Sequence, residues 1–334
     1  MHSGALPSLK FHKHQTLLRA IPCLFLGTSV LLGALPLRAQ DEIVANLAAG
    51  RVVIDVAKDG IVIGAIEQHV EANSRPPIVF PINDRRIGVL LGAAEWVLPS
   101  SASKPVRLDQ AISRLSREAA PHKEASKDDQ ASDIEAIGIA FLEKVRTMAD
   151  QLHHKIDLSS DAPLVELLLI DYQSDYGPEV WLLQYRIKQE RLRGDFWQTK
   201  TLRPSYTQLY PPEKHQPRTL VEVRYPPETP GPTVLELLQQ NDPRLASARR
   251  AAPKSLKVID NISNGKSSAS SVEDSATFLH DVLDPLAGSD NRIVLGVLRE
   301  ERGWDWIVAP PELLEKAAED KTRPPEAPTL RRKP

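Results

Sequence analysis

The stretch RVVIDVAKDGIVIGAIE, residues 51–67, reads as two β-branched strands joined at Lys58, Asp59 and Gly60. An Asp-Gly pair accepts positive φ at little cost, which suits a tight hairpin turn. Both runs are apolar nearly throughout, the pattern of strands covered on both faces. Working outward, a second hairpin is expected over residues 78–93, turning at Asn83 and Asp84. A third is expected over residues 164–187, where LVELLLIDY and EVWLLQYRI flank the turn QSDYGP. Helices must supply the cover that these strands need.

Apolar residues do recur at helical spacing between the second and third hairpins. Leu108, Ile112 and Leu115 mark one helix, and Ile134, Ile137, Phe141, Val145, Met148 and Leu152 mark another. Ser132 and Glu135 have the spacing of a capping box at the start of the second, and PHKEASKDDQ (residues 121–130) reads as a solvated loop before it. A later helix carries Val272, Ala276, Leu279 and Leu283, with Ser271 and Asp274 at its start. Two strands follow, over residues 292–298 and 304–309, around a turn at Glu301, Arg302 and Gly303. Residues 198–270 differ in character, with eight prolines between Pro204 and Pro232. They read as a proline-rich excursion holding a short strand (220–225) and a short helix (233–240). The charged, proline-rich residues 311–334 are expected to be a disordered tail.

The N-terminus reads as an export signal. Lys10, Lys13 and Arg19 precede the apolar run AIPCLFLGTSVLLGALPL (residues 20–37), a basic region followed by a hydrophobic one. Leu37, Arg38 and Ala39 form a cleavage site, making residues 1–39 a signal peptide and 40–50 a leader. An uncleaved membrane anchor is the competing reading, because the run is close to the minimum for a bilayer; Pro22, Gly27, Gly33 and Pro36 interrupt it. Either way the chain is expected outside the cytoplasm, in the periplasm or secreted, and membrane contact is expected only through an uncleaved signal. Cys23 is the single cysteine, so cleavage leaves no disulfide and no thiol nucleophile or ligand. Removing four basic residues from 42, against 44 acidic ones, leaves a charge of about −6, which disfavours nucleic acid as a partner.

The element order, hairpin, hairpin, two helices, hairpin, helix and strand pair, implies an α+β fold of two packed antiparallel sheets between helical layers. This order, with four local texts, resembles the proteasome-subunit branch of the Ntn-hydrolases. The opening hairpin with its Lys-Asp-Gly turn is one, and IVFPINDRRIGVLLGAA (residues 78–94) is the second. The third is LLLIDYQSDYGPEVW (residues 167–181), where a Gly-Pro precedes the returning strand, and the fourth is DPLAGSDNRIVLGV (residues 284–297). The resemblance covers residues 50–309 apart from the excursion, and implies a four-layer α-β-β-α sandwich over residues 51–310.

It also implies chemistry that these residues do not supply. Family enzymes use a threonine freed by cleavage after a glycine, its own amine acting as base. Here Gly50 is followed by Arg51, which has no nucleophilic atom. The expected lysine falls near Ile78, and the expected acid falls on Ile66, with Glu67 adjacent. Asp284 matches a later acid, but Ala287 stands where the family has serine. Signal cleavage exposes Gln40 or Asp41, neither of them a usable nucleophile. The leading expectation is a catalytically silent relative acting in binding or assembly, with self-association or an unidentified protein as partner. The alternatives are an amide or peptide hydrolase with a displaced site at Glu67, His69 and Asp284, or an unrelated envelope scaffold or adhesion domain. No cofactor or metal is expected. His153 and His154 are adjacent and lack the spacing of a helical metal pair, so they read as a helix end. Trp304 and Trp306 share a strand face and read as packing at a sheet edge.

Overall fold

The computed structural model describes residues 44–67, 74–97, 106–118, 127–156, 162–173, 177–212, 220–246, 258, 270–287 and 293–314. The expected signal peptide and His69 lie outside them, as do residues 40–43 of the leader and the tail beyond residue 314. The fold is α+β, and every pairing between its named strands is antiparallel.

The opening stretch forms β2 (Gly50–Ala57) and β3 (Gly60–Glu67), with Ala57 opposite Gly60 across the turn. The second hairpin is β4 (Ile78–Asn83) and β5 (Arg86–Val97); the third is β7 (Val165–Gln173) and β8 (Gly177–Tyr185). Before and between them lie β1 (Val44–Ala48), the two-residue β6 (Val106–Arg107), α1 (Leu108–Glu118) and α2 (Lys127–Ala149). A later group follows, comprising β9 (Ile187–Arg193), β10 (Phe196–Thr201), β11 (Ser205–Tyr210), β12 (Leu220–Tyr225) and α3 (Val234–Gln239). The chain returns as α4 (Val272–Ala287), β13 (Ile293–Arg299) and β14 (Gly303–Val308).

One seven-stranded sheet runs β1-β5-β7-β8-β11, with β4 and β6 also paired to the long β5. A five-stranded sheet runs β12-β2-β3-β13-β14. Side chains alternate across a strand, and both alternations of these strands are apolar. On β5 and β7, Ile87, Val89, Leu91, Leu168 and Ile170 join Val52, Ile54, Ile61 and Ile63 of β2 and β3 in one buried cluster. The opposite residues, Leu90, Leu167 and Leu169, pack with Leu108 and Ile112 of α1 and with Phe141 and Val145 of α2. Val53, Val62 and Ile66 pack with Leu279 and Leu283 of α4 and with Val234 and Leu237 of α3. The uninterrupted apolar text of the hairpins is thus accounted for face by face.

Several local expectations differ from the structure. Residues 198–270, read as an excursion, supply an edge strand to each sheet: β11 pairs with β8, and β12 pairs with β2. Proline suits such a place, because an edge strand can lack an amide donor on its open side. The leader contains β1, paired with β5. The helix expected to start at Ser132 begins at Lys127, since nothing between those positions stops it: Lys, Gln and Ala tolerate helix and no glycine or proline intervenes. Asp284 and Ala287, matched to a family turn, instead lie in the last turn of α4. Cap geometry agrees with the sequence elsewhere: Ser271 Oγ accepts from Asp274 N at 3.2 Å, and Thr233 forms a full capping box with Glu236.

Candidate functional site

Arg51, which stands where the resemblance would place an N-terminal threonine, lies inside a continuous buried chain. β1 pairs in the seven-stranded sheet, and the chain then crosses at Ala49 and Gly50 to enter β2 in the other. The crossing is pinned by Ala49 N donating to Arg75 O and Arg75 N donating to Leu47 O, both at 2.9 Å. Gly50 has φ 156°, and a Cβ there would run into Ile66 O, so glycine is required by close approach.

Arg51, next in the chain, is a structural cation. Its Nε lies 3.4 Å from Glu222 Oε1 and its Nη2 donates to Pro232 O at 3.3 Å. Burial lowers its pKa first; Arg224 and Arg244 add to that and Glu222 opposes it. Arg224 Nε donates to the same Glu222 oxygen at 2.6 Å and its Nη1 to Gly231 O at 2.6 Å. Glu222 Oε2 accepts from Val234 N at 2.6 Å. Two guanidiniums around one carboxylate therefore fasten β2, β12, the turn before α3 and the start of α3 together.

A cleft of about 150 Å³ opens beside the crossing. Its apolar wall includes Pro77, Ile78, Phe80, Trp306 and Leu313. Arg75, Arg107, Asp109 and Glu312 are its charged residues. One side of the Arg75 guanidinium is paired with the buried Glu95, and Nη2 lies 3.2 Å from Glu312 Oε1. Burial lowers the Arg75 pKa first, Arg107 adds to that, and Glu312, Asp109 and Glu67 oppose it. Arg107 is itself held by both Asp109 oxygens at 3.1 and 3.0 Å. No serine, threonine, cysteine or histidine is among the described residues lining this cleft. It offers guanidinium groups to a carboxylate beside an apolar wall.

Of the residues expected to form a displaced catalytic site, Glu67 ends β3 and reaches the cleft through its charge on Arg75. His69 lies outside the described residues. Asp284 is exposed on α4, while its neighbours Val282 and Leu283 are buried beneath that helix. His153 follows α2 and stacks on Phe196, with centroids 4.7 Å apart, while its carbonyl accepts from Trp197 N at 2.8 Å. It anchors the β9–β10 hairpin. Trp304 and Trp306 meet edge-on at 4.9 Å and pack partly buried against the cluster between the sheets.

Sequence reading passed over Glu166, a carboxyl with 1% exposure on β7. Its Oε1 accepts from Gln184 Nε2 at 2.7 Å, and its Oε2 has no hydrogen-bond partner among the described residues. Burial pushes its pKa up to about 7, with Gln184 and Arg186 holding it back. An acid two residues into the apolar run LVELLLIDY was the available signal. Among the described residues no group of three or more histidines, cysteines or acids could hold a metal ion, and no helix is long and apolar enough to cross a membrane. No protein-family model matches the chain, and no curated protein matches it.

Proposed function

We propose that this is an exported, non-catalytic protein of the proteasome-like Ntn-hydrolase fold, a four-layer α-β-β-α sandwich that acts by binding or assembly. The three apolar clusters, helix against sheet, sheet against sheet and sheet against helix, support the layered reading. One observation carries the functional half. The start of β2, where the family places its nucleophile, is an internal buried crossing, and Arg51 there is occupied by Glu222 and Pro232. Cleavage after Gly50 would free an arginine and detach β1 from the chain that follows it.

N-terminal sequencing and intact mass of the exported protein, with an amidase and peptidase screen, test this reading. The expected chain begins at Gln40 or Asp41 and shows no turnover. A chain processed to a serine or threonine, or turnover lost on Glu67→Gln, overturns it.

A further inference from the structure

The cleft beside Arg75 is partly filled by the stretch of chain that follows β14. After β14, Pro310, Glu312 and Leu313 line it, and Leu313 N donates to Pro310 O at 3.1 Å in one turn of helix over residues 311–314. The segment brings three kinds of contact: proline against the apolar wall, leucine beside it, and a carboxylate on Arg75.

Its hold is slight. Glu312 is joined to the body by one ion pair, and its side chain remains 48% exposed. Leu313 and Leu314 are 43% and 61% exposed, so much of the apolar surface this segment carries is still in water. The receiving side is built differently. Arg75 is pinned through its backbone to Leu47 and Ala49 and through its guanidinium to buried Glu95, so the Nη2 facing Glu312 keeps its place if Glu312 leaves. Phe80, Ile78 and Val79 are all buried in the strand that forms the wall. A fixed guanidinium beside a fixed apolar wall is a preformed site, and such sites bind with little reorganisation.

We infer that this cleft is a recognition site for a short peptide presenting a carboxylate flanked by proline or leucine, and that residues 310–314 are its resident competitor. The inference rests on the binding reading above and names the partner chemistry. The tethered segment competes at the high effective concentration of an intramolecular ligand, so an outside peptide binds weakly until the segment is released. Charge-assisted pairing to Arg75 provides selectivity for the carboxylate.

The test uses the mature protein and a fluorescent peptide of sequence APPELL, blocked at both ends so that its glutamate is the sole carboxylate. Anisotropy titrations compare the wild-type chain with the double variant Glu312→Gln, Leu313→Ser, which changes exposed side chains only. The expected result is binding at least ten-fold tighter to the variant, and at least ten-fold weaker for the peptide APPQLL. No saturable binding to the variant up to 1 mM peptide overturns the site. Equal affinity for the two peptides overturns carboxylate recognition by Arg75, and equal affinity of the two chains overturns the competitor. Turnover is a separate measurement, so an inert chain that binds no peptide refutes this inference and leaves the non-catalytic assignment standing.

Discussion

Replacing Glu166 by glutamine should stabilise the protein at alkaline pH and leave it unchanged in acid. Glu166 lies on β7 with its neighbours Leu168 and Ile170 in the cluster between the sheets, and among the described residues only its Oε1 has a hydrogen-bond partner. Burial raises its pKa from 4.5 to about 7. Above that value the carboxyl is ionised in both the folded and the unfolded chain, and the folded chain alone carries the cost of an ion out of water. Below about 4.5 it is protonated in both, and that cost is gone. Stability attributable to this group therefore rises as pH falls from about 7 towards 4.5, by ~3 kcal/mol in all. Glutamine has the shape of the protonated acid and can still accept from Gln184. The expected gain is ~3 kcal/mol at pH 8, falling to near zero at pH 4.5. Urea unfolding of both chains at pH 4.5, 6 and 8 measures it, and the difference between chains cancels the titration of distant groups. A difference that is the same at all three pH values would refute the reasoning, because a group with an ordinary pKa has no pH-dependent penalty to remove.

Two further substitutions test the packing of the sheets and helices. Asp171→Asn should cost ~3–5 kcal/mol in urea unfolding, because the buried Arg86 would lose the negative charge beside its Nε and keep the ion pair with Asp133 on α2; a loss under ~1 kcal/mol would show that the pair is dispensable. Gly64→Val should cost ~1–3 kcal/mol by thermal or urea unfolding, since a Cβ at this position runs into Leu283 Cδ1 of α4; an unchanged midpoint would mean that α4 packs elsewhere.

The three long hairpins and the helices were legible because their signals are local. Lys-Asp-Gly marks its own turn, and the spacing of Ile137, Phe141 and Val145 marks its own helix. β9 and β10 lacked such a signal: IKQERLR and FWQTKT form a largely exposed two-stranded ribbon, so their side chains need not alternate between core and water. β11 was hidden for a related reason, since SYTQLY is an edge strand bracketed by prolines. The site was harder still. Arg75 meets Glu312 across 237 residues and Arg51 meets Pro232 across 181, and such pairings are set by tertiary packing alone. The sequence did carry the identity of the residue after Gly50, an arginine with no nucleophilic atom. Its role as a buried tie to Glu222 could not be read there, because Glu222 sits in a stretch whose prolines suggested an excursion.

The strand order of the smaller sheet also governs how this chain can be made. Synthesis is vectorial, and β2 and β3 emerge together near its beginning, apolar on both faces. Their partners are β12, whose Leu220 pairs with Asp55, and β13, whose Ile293 pairs with Ile66. The hairpin that leads the fold is thus among the first segments produced and among the last to gain its neighbours. Until some two hundred further residues follow, its open edges and apolar faces are a template for pairing with other nascent chains. Such non-local closure also slows folding. A holding chaperone during synthesis, and low yield on rapid overexpression, follow from that order of events.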